Sequence, residues 1–82
     1  MYSIYILYSE KVNKYYIGST ENIELRLHQH NAGHSTFTKT GIPWKLVYAE
    51  DYETRTEAFR REMEIKSKKS RKYIEYLIQS IG

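Results

Sequence analysis

A chain of 82 residues with no cysteine has to hold its fold with one small apolar core, because nothing else is available to staple it. Every inward-facing position therefore counts. Polar residues nevertheless occupy some of them. Positions 23, 26, 27 and 30 follow the i, i+3, i+4, i+7 spacing of one helix face, and they hold Ile23, Arg26, Leu27 and His30. Further on, Ala58, Phe59, Met63 and Ile65 define a second apolar arc. At about 100° per residue, Glu62 falls inside that arc. Charged groups on stripes that should be apolar mark either a site or a buried ion pair.

The order of elements follows from periodicity and punctuation. Residues 2–8 are rich in tyrosine and isoleucine and read as a strand. A polar run over 9–14 turns the chain, and 15–19 read as the return strand of a hairpin. Gly18 suits a place of close backbone approach. Ser19 or Thr20 caps the first helix, Glu21 and Glu24 favour its dipole, and Gly33 ends it. A polar loop carrying Lys39 precedes a third strand at 44–49. Thr54 and Glu57 form a capping box at the start of the second helix. Ser70 caps a last helix, whose Tyr73, Ile74, Leu77, Ile78 and Ile81 face inward. The expected fold is an α/β sandwich of order ββαβαα, one domain over 1–82, with a three-stranded sheet flanked by helices. The sequence leaves open which edge the third strand takes.

Composition narrows the function classes. The absence of cysteine excludes disulfides, thiolate metal sites and cysteine nucleophiles. No apolar run approaches the length of a membrane span and no signal peptide opens the chain, so the expected location is the cytoplasm. The net charge is +3, much of it in the run 66–72, and nine tyrosines stand against two phenylalanines. A basic, tyrosine-rich small domain points to nucleic acid. Lys39, Lys66, Lys68, Lys69 and Arg71 are the candidate phosphate contacts.

The inward polar groups have a chemistry of their own. Arginine can clamp a phosphate or a developing anion. A carboxylate can hold Mg²⁺ together with waters and substrate oxygens. Histidine and tyrosine can move protons. Together they suit hydrolysis of a phosphodiester, with arginine on the transition-state charge and one metal ion assisting.

Ser3-Ile4-Tyr5 and Tyr16-Ile17-Gly18 resemble the two signature tripeptides of the GIY-YIG nucleases, in that family's order and spacing. Arg26 and His30 match the arginine and histidine of its first helix, and Glu62 the glutamate of its later one. The stretches 26–33 and 58–66 look like the small stand-alone members. The resemblance implies a metal-dependent DNA endonuclease for repair, recombination or processing, with DNA and a single Mg²⁺ or Mn²⁺ ion as partners. It implies Tyr16 as general base or water-orienting group, with Tyr5 beside the water or scissile phosphate. Arg26 would stabilise charge, His30 contact phosphate or relay a proton, and Glu62 ligate the metal. Three positions depart from the family. Ser3 replaces the first signature glycine, Ser19 replaces a lysine common after Gly18, and no asparagine follows Asn31. The rival expectation is a non-enzymatic nucleic-acid-binding module.

Overall fold

The computed structural model describes residues 1–80 and forms a three-layer α/β/α sandwich. Its elements are β1 (Tyr2–Ser9), β2 (Lys14–Thr20), α1 (Ile23–Asn31), β3 (Trp44–Tyr52), α2 (Arg55–Ser67) and α3 (Arg71–Ser80), with a 3₁₀ turn at Lys39–Gly41. The expected order is borne out. The sheet runs β2-β1-β3, antiparallel throughout, so the third strand adds beside β1 and puts that strand at the centre. Ile81, expected to face inward, lies outside the described residues.

Because β1 is central, both of its faces are covered. Ile4 and Ile6 meet Ile17, Tyr48, Ala58, Ile65 and Leu77 under α2 and α3. Tyr5 and Leu7 meet Trp44, Ile23 and Leu27 under α1. Trp44 and Tyr48 have the same parity in β3 yet reach opposite faces. A bulge resolves this: Ile6 pairs with Tyr48 but Leu7 pairs with Leu46, so the extra residue Val47 reverses the alternation.

The helix ends mostly follow the sequence. Thr54 Oγ1 accepts from the Glu57 amide at 3.2 Å, and Ser70 Oγ accepts from the Tyr73 amide at 3.1 Å. Gly33 leaves α1 with φ of 81°, which a side chain would resist. The cap of α1 differs. It is Asn22, whose Oδ1 accepts from the Leu25 amide at 3.1 Å, because β2 continues through Thr20.

α2 sits rotated from the expected arc. Phe59 and Met63 are 54% and 48% exposed, and the inward row is Ala58, Arg61, Glu62 and Ile65, at i, i+3, i+4 and i+7. Arg61 takes the flank expected of Phe59 because a carboxylate waits for it. Its Nε and Nη2 donate to the two oxygens of Glu50 at 2.8 and 3.1 Å, and Nη1 donates to Tyr73 Oη at 3.1 Å. Tyr52 donates to Glu50 at 2.7 Å, and Tyr48 donates to the same carboxylate. This cluster ties β3 to both helices of its face. The fork geometry is bidentate, the arrangement in which a half-buried pair is strong.

Burial alone would raise the Glu50 pKa, but the Arg61 guanidinium and the two tyrosine hydroxyls outweigh it and hold it below 4.5. A depressed folded pKa stabilises above the unfolded value and loses that contribution as pH falls through the folded one. Stability should therefore drop as pH falls below 4.5, and Glu50→Gln should flatten the drop in urea titrations followed by circular dichroism. Burial, then Glu50, pushes Tyr48 and Tyr52 up to about 12. Raised phenol pKa values add stability below 10 that is lost as pH rises towards 12, and the same titrations should show it.

Candidate active site

The site forms where β1, β2 and α1 converge. Tyr5 pairs across the strands with Gly18, and the absent side chain makes room for the phenol. A Cβ at Gly18 would lie 2.5 Å from Tyr5 Oη and 2.7 Å from its Cζ. The ring therefore crosses Gly18 and reaches the edge strand β2. Its neighbour is Tyr16, with ring centroids 6.3 Å apart and tilted.

From the helix side, α1 supplies His30 and Arg26. His30 is buried, with Nε2 3.2 Å from Tyr5 Oη and Nδ1 2.8 Å from Thr38 Oγ1. Its ring lies 4.8 Å from that of Tyr16. Thr38 is fixed in turn, since its carbonyl accepts from Trp44 Nε1 at 2.7 Å. Asn31, one residue beyond His30, accepts from the Trp44 amide at 2.6 Å and donates to the Trp44 carbonyl at 3.0 Å. The loop between α1 and β3 is thus clamped to hold the histidine. Neither Thr38 nor Asn31 was legible as a site residue, because the contacts that give them meaning are tertiary.

Arg26 Nη1 donates to Gln29 Oε1 at 3.2 Å, while Nε is buried and has no hydrogen-bond partner among the described residues. An orphaned, buried N–H on a permanent cation is costly without an acceptor, and an anion would satisfy it. The electrostatics agree. Burial raises the Tyr5 pKa, Arg26 opposes that, and Tyr16 and Glu62 add to it. Burial and then the Arg26 charge lower the His30 pKa, so the imidazole is neutral near pH 7.

Glu62 approaches from the other face of the sheet. Its carboxylate stands by β2, accepting from Ser19 Oγ at 2.7 Å and from Lys66 Nζ at 2.6 Å. The structural alternative, a buried Arg26–Glu62 ion pair, is absent; the cation on Glu62 is Lys66. Tyr5, Tyr16, Arg26 and His30 thus cluster under α1, and Glu62 comes to the same strand edge from beneath, close enough to bias Tyr5.

The basic candidates take different places. Lys39 is exposed on the 3₁₀ turn. Lys66, Lys69 and Arg71 line a groove of about 360 Å³ with Lys14, beside Tyr15 and Ile74. Lys68 lies over the Tyr73 ring, 5.5 Å from its centroid. Arg71 is already engaged, donating to the Asn13 carbonyl and side chain at 2.9 and 2.6 Å and stacking on Tyr15.

Among the described residues no three histidine or carboxylate side chains gather as a metal cage. The donor set still fits a hard divalent ion of the kind that takes one carboxylate and completes its shell with water and phosphate oxygens. Glu62 would be that ligand.

Comparison with known proteins identifies the family. A family model described as the GIY-YIG catalytic domain matches residues 1–74. The chain belongs to the GIY-YIG family. The domain accordingly has a nuclease-type fold. A UPF0213 protein of Staphylococcus haemolyticus is 48% identical over 58 residues, covering 70% of this chain and 71% of that protein. A UPF0213 protein of Staphylococcus aureus is 43% identical over 53 residues, covering 63% and 65%. The solution structure of a UPF0213 protein from Bacillus halodurans superposes with a TM-score of 0.60 at 30% identity, covering 96% of this chain and 84% of that one. This GIY-YIG domain has no helix, among the described residues, long and apolar enough to cross a membrane.

Two outcomes follow from the packing. Gly18→Ala should displace the Tyr5 ring and cost about 1–3 kcal/mol, read by thermal denaturation and by loss of the Tyr5–His30 contact in NMR spectra. His30 should titrate below 6.5 by NMR, and Arg26→Met should move its pKa upward because one of the two causes is then gone.

Proposed function

We propose that this domain is a metal-dependent DNA endonuclease of the cytosol that hydrolyses phosphodiester bonds, of the kind that serves repair, recombination or DNA processing. The observation that carries the reading is the convergence of Tyr5, Tyr16, Arg26 and His30 around Gly18, with a buried arginine N–H that lacks an acceptor. Arg26 binds the scissile phosphate and stabilises the charge that grows on it. Burial favours the protonated phenol of Tyr5, so Tyr5 donates a hydrogen bond to water or phosphate and is a poor proton acceptor. That leaves Tyr16, half-buried and beside His30, as the group that orients or deprotonates the attacking water. His30, neutral and fixed by Thr38, holds Tyr5 and can pass a proton on. A Mg²⁺ or Mn²⁺ ion held by Glu62 would supply charge neutralisation on the leaving side. Lys39, Lys66, Lys68 and Lys69 serve the flanking phosphates, while Arg71 stays with Asn13 and Glu75.

One observation favours the second reading, a binding module without catalysis. Both oxygens of Glu62 are already hydrogen-bonded, one of them to an ammonium. Such a module would bind DNA with strong salt dependence and be indifferent to Glu62.

The two readings separate in a cleavage assay. Wild type should nick plasmid or branched DNA with Mg²⁺ or Mn²⁺, Glu62→Gln should abolish it, and Arg26→Ala should lower kcat by about 10²–10³. Binding that survives in Glu62→Gln, with no cutting by wild type on any substrate, would identify the module instead.

A further inference from the structure

Glu62 and Lys66 stand one turn apart on α2, at i and i+4, with the carboxylate N-terminal to the ammonium. On an open helix such a pair is a minor stabiliser. This one is not on an open surface. The Glu62 side chain is 12% exposed and Lys66 45%. Glu62 Oε1 takes the Ser19 hydroxyl at 2.7 Å and Oε2 takes Lys66 Nζ at 2.6 Å. Each carboxylate oxygen already accepts one hydrogen bond, and the donor on Oε2 is itself a cation, so an incoming metal ion meets like charge there.

The two donors differ in how readily they leave. Ser19 belongs to β2, and its backbone is fixed by pairing with Ile4. Lys66 carries a compact charge on a flexible four-carbon stem and is half in solvent. Lys66 also borders the groove that holds Lys14, Lys69 and Arg71. Of these, Lys14 and Lys69 carry like charge on that side and disfavour the ammonium there. Arg71 cannot take its place, because Asn13, Glu75 and Tyr15 hold it. An anion in the groove reverses the balance, since a phosphate there offers Lys66 a second partner and cancels the repulsion.

We propose that Lys66 is a positioning residue that gates cation entry to Glu62: its ammonium fills the metal position in the free protein and moves to a nucleic-acid phosphate in the adjoining groove. The proposal rests on Glu62 as the metal ligand. Metal and DNA then bind with positive coupling, each weakening the pair that opposes the other, and linkage makes that coupling reciprocal. The free protein holds divalent ions weakly and acquires one when a phosphate backbone lies in the groove. The position after Gly18 fits this arrangement, because Ser19 supplies a neutral donor to Glu62 and leaves the competing charge to Lys66 alone.

Mn²⁺ titration of the full chain, read by paramagnetic broadening of the Ser19 and Lys66 amide signals, tests the gate without any turnover. Lys66→Met keeps the apolar stem and the helix propensity. It should bind Mn²⁺ more tightly than wild type in the absence of DNA, within the roughly 5–150-fold range of ordinary coupling. A short DNA oligonucleotide should tighten Mn²⁺ binding to wild type and change Lys66→Met much less. Equal or weaker Mn²⁺ affinity in Lys66→Met would overturn the gate while leaving Glu62 as a ligand, provided Glu62→Gln removes the broadening. Broadening that persists in Glu62→Gln, or that is absent from both wild type and Lys66→Met, would overturn the gate and the metal reading together.

Discussion

Ile4, Tyr5, Ile6 and Leu7 are buried in succession because β1 has a strand on each edge and a helical layer on each face. The rest of the molecule is arranged around this strand. Its even residues anchor α2 and α3, and its odd residues anchor α1 and Trp44. With so few residues, the same strand also lends a side chain to the candidate site. Tyr5 is at once a member of the core and the phenol that meets His30. That double duty explains why the tyrosine cannot be repositioned without loosening the layer that α1 covers.

The site is assembled across the sheet and not within one layer. Tyr5, Tyr16, Arg26 and His30 belong to the α1 side, while Glu62 belongs to the α2 side. They approach one another only because β2 is an edge strand and because Gly18 has no side chain to block the way. Support comes from neighbouring side chains: Thr38 holds His30, Asn31 holds Trp44, and Ser19 holds Glu62. Each supporting bond is made by a residue whose sequence neighbourhood looks unremarkable.

Charge inside a small core carries a desolvation cost, and this chain meets it in two ways. Glu50 and Arg61 satisfy one another fully, with three tyrosine hydroxyls completing the cluster, and the result is structural. Arg26 leaves an N–H without a partner, and Glu62 is matched by a lysine that is half in solvent. Complete satisfaction marks the ion pair that holds the fold. Incomplete or half-exposed satisfaction sets Arg26 and Glu62 apart from that pair.

Periodicity and capping determined the element order, and the five inward polar residues were legible from helix and strand spacing together with the two tripeptides. These are local properties, fixed within a turn or a strand of the residues that express them. Three features were decided only in three dimensions. β3 could pair with either edge, and burial of both faces of β1 chose one. The Val47 bulge changed which β3 residues face which helix, a shift that no parity count along the strand reveals. The rotation of α2 was set by Glu50, a partner distant in sequence, which drew Arg61 inward and turned Phe59 and Met63 out. The partner of Glu62 followed from that rotation. Sequence could place the carboxylate on an inward face, but only packing could set it between a serine of β2 and a lysine of its own helix.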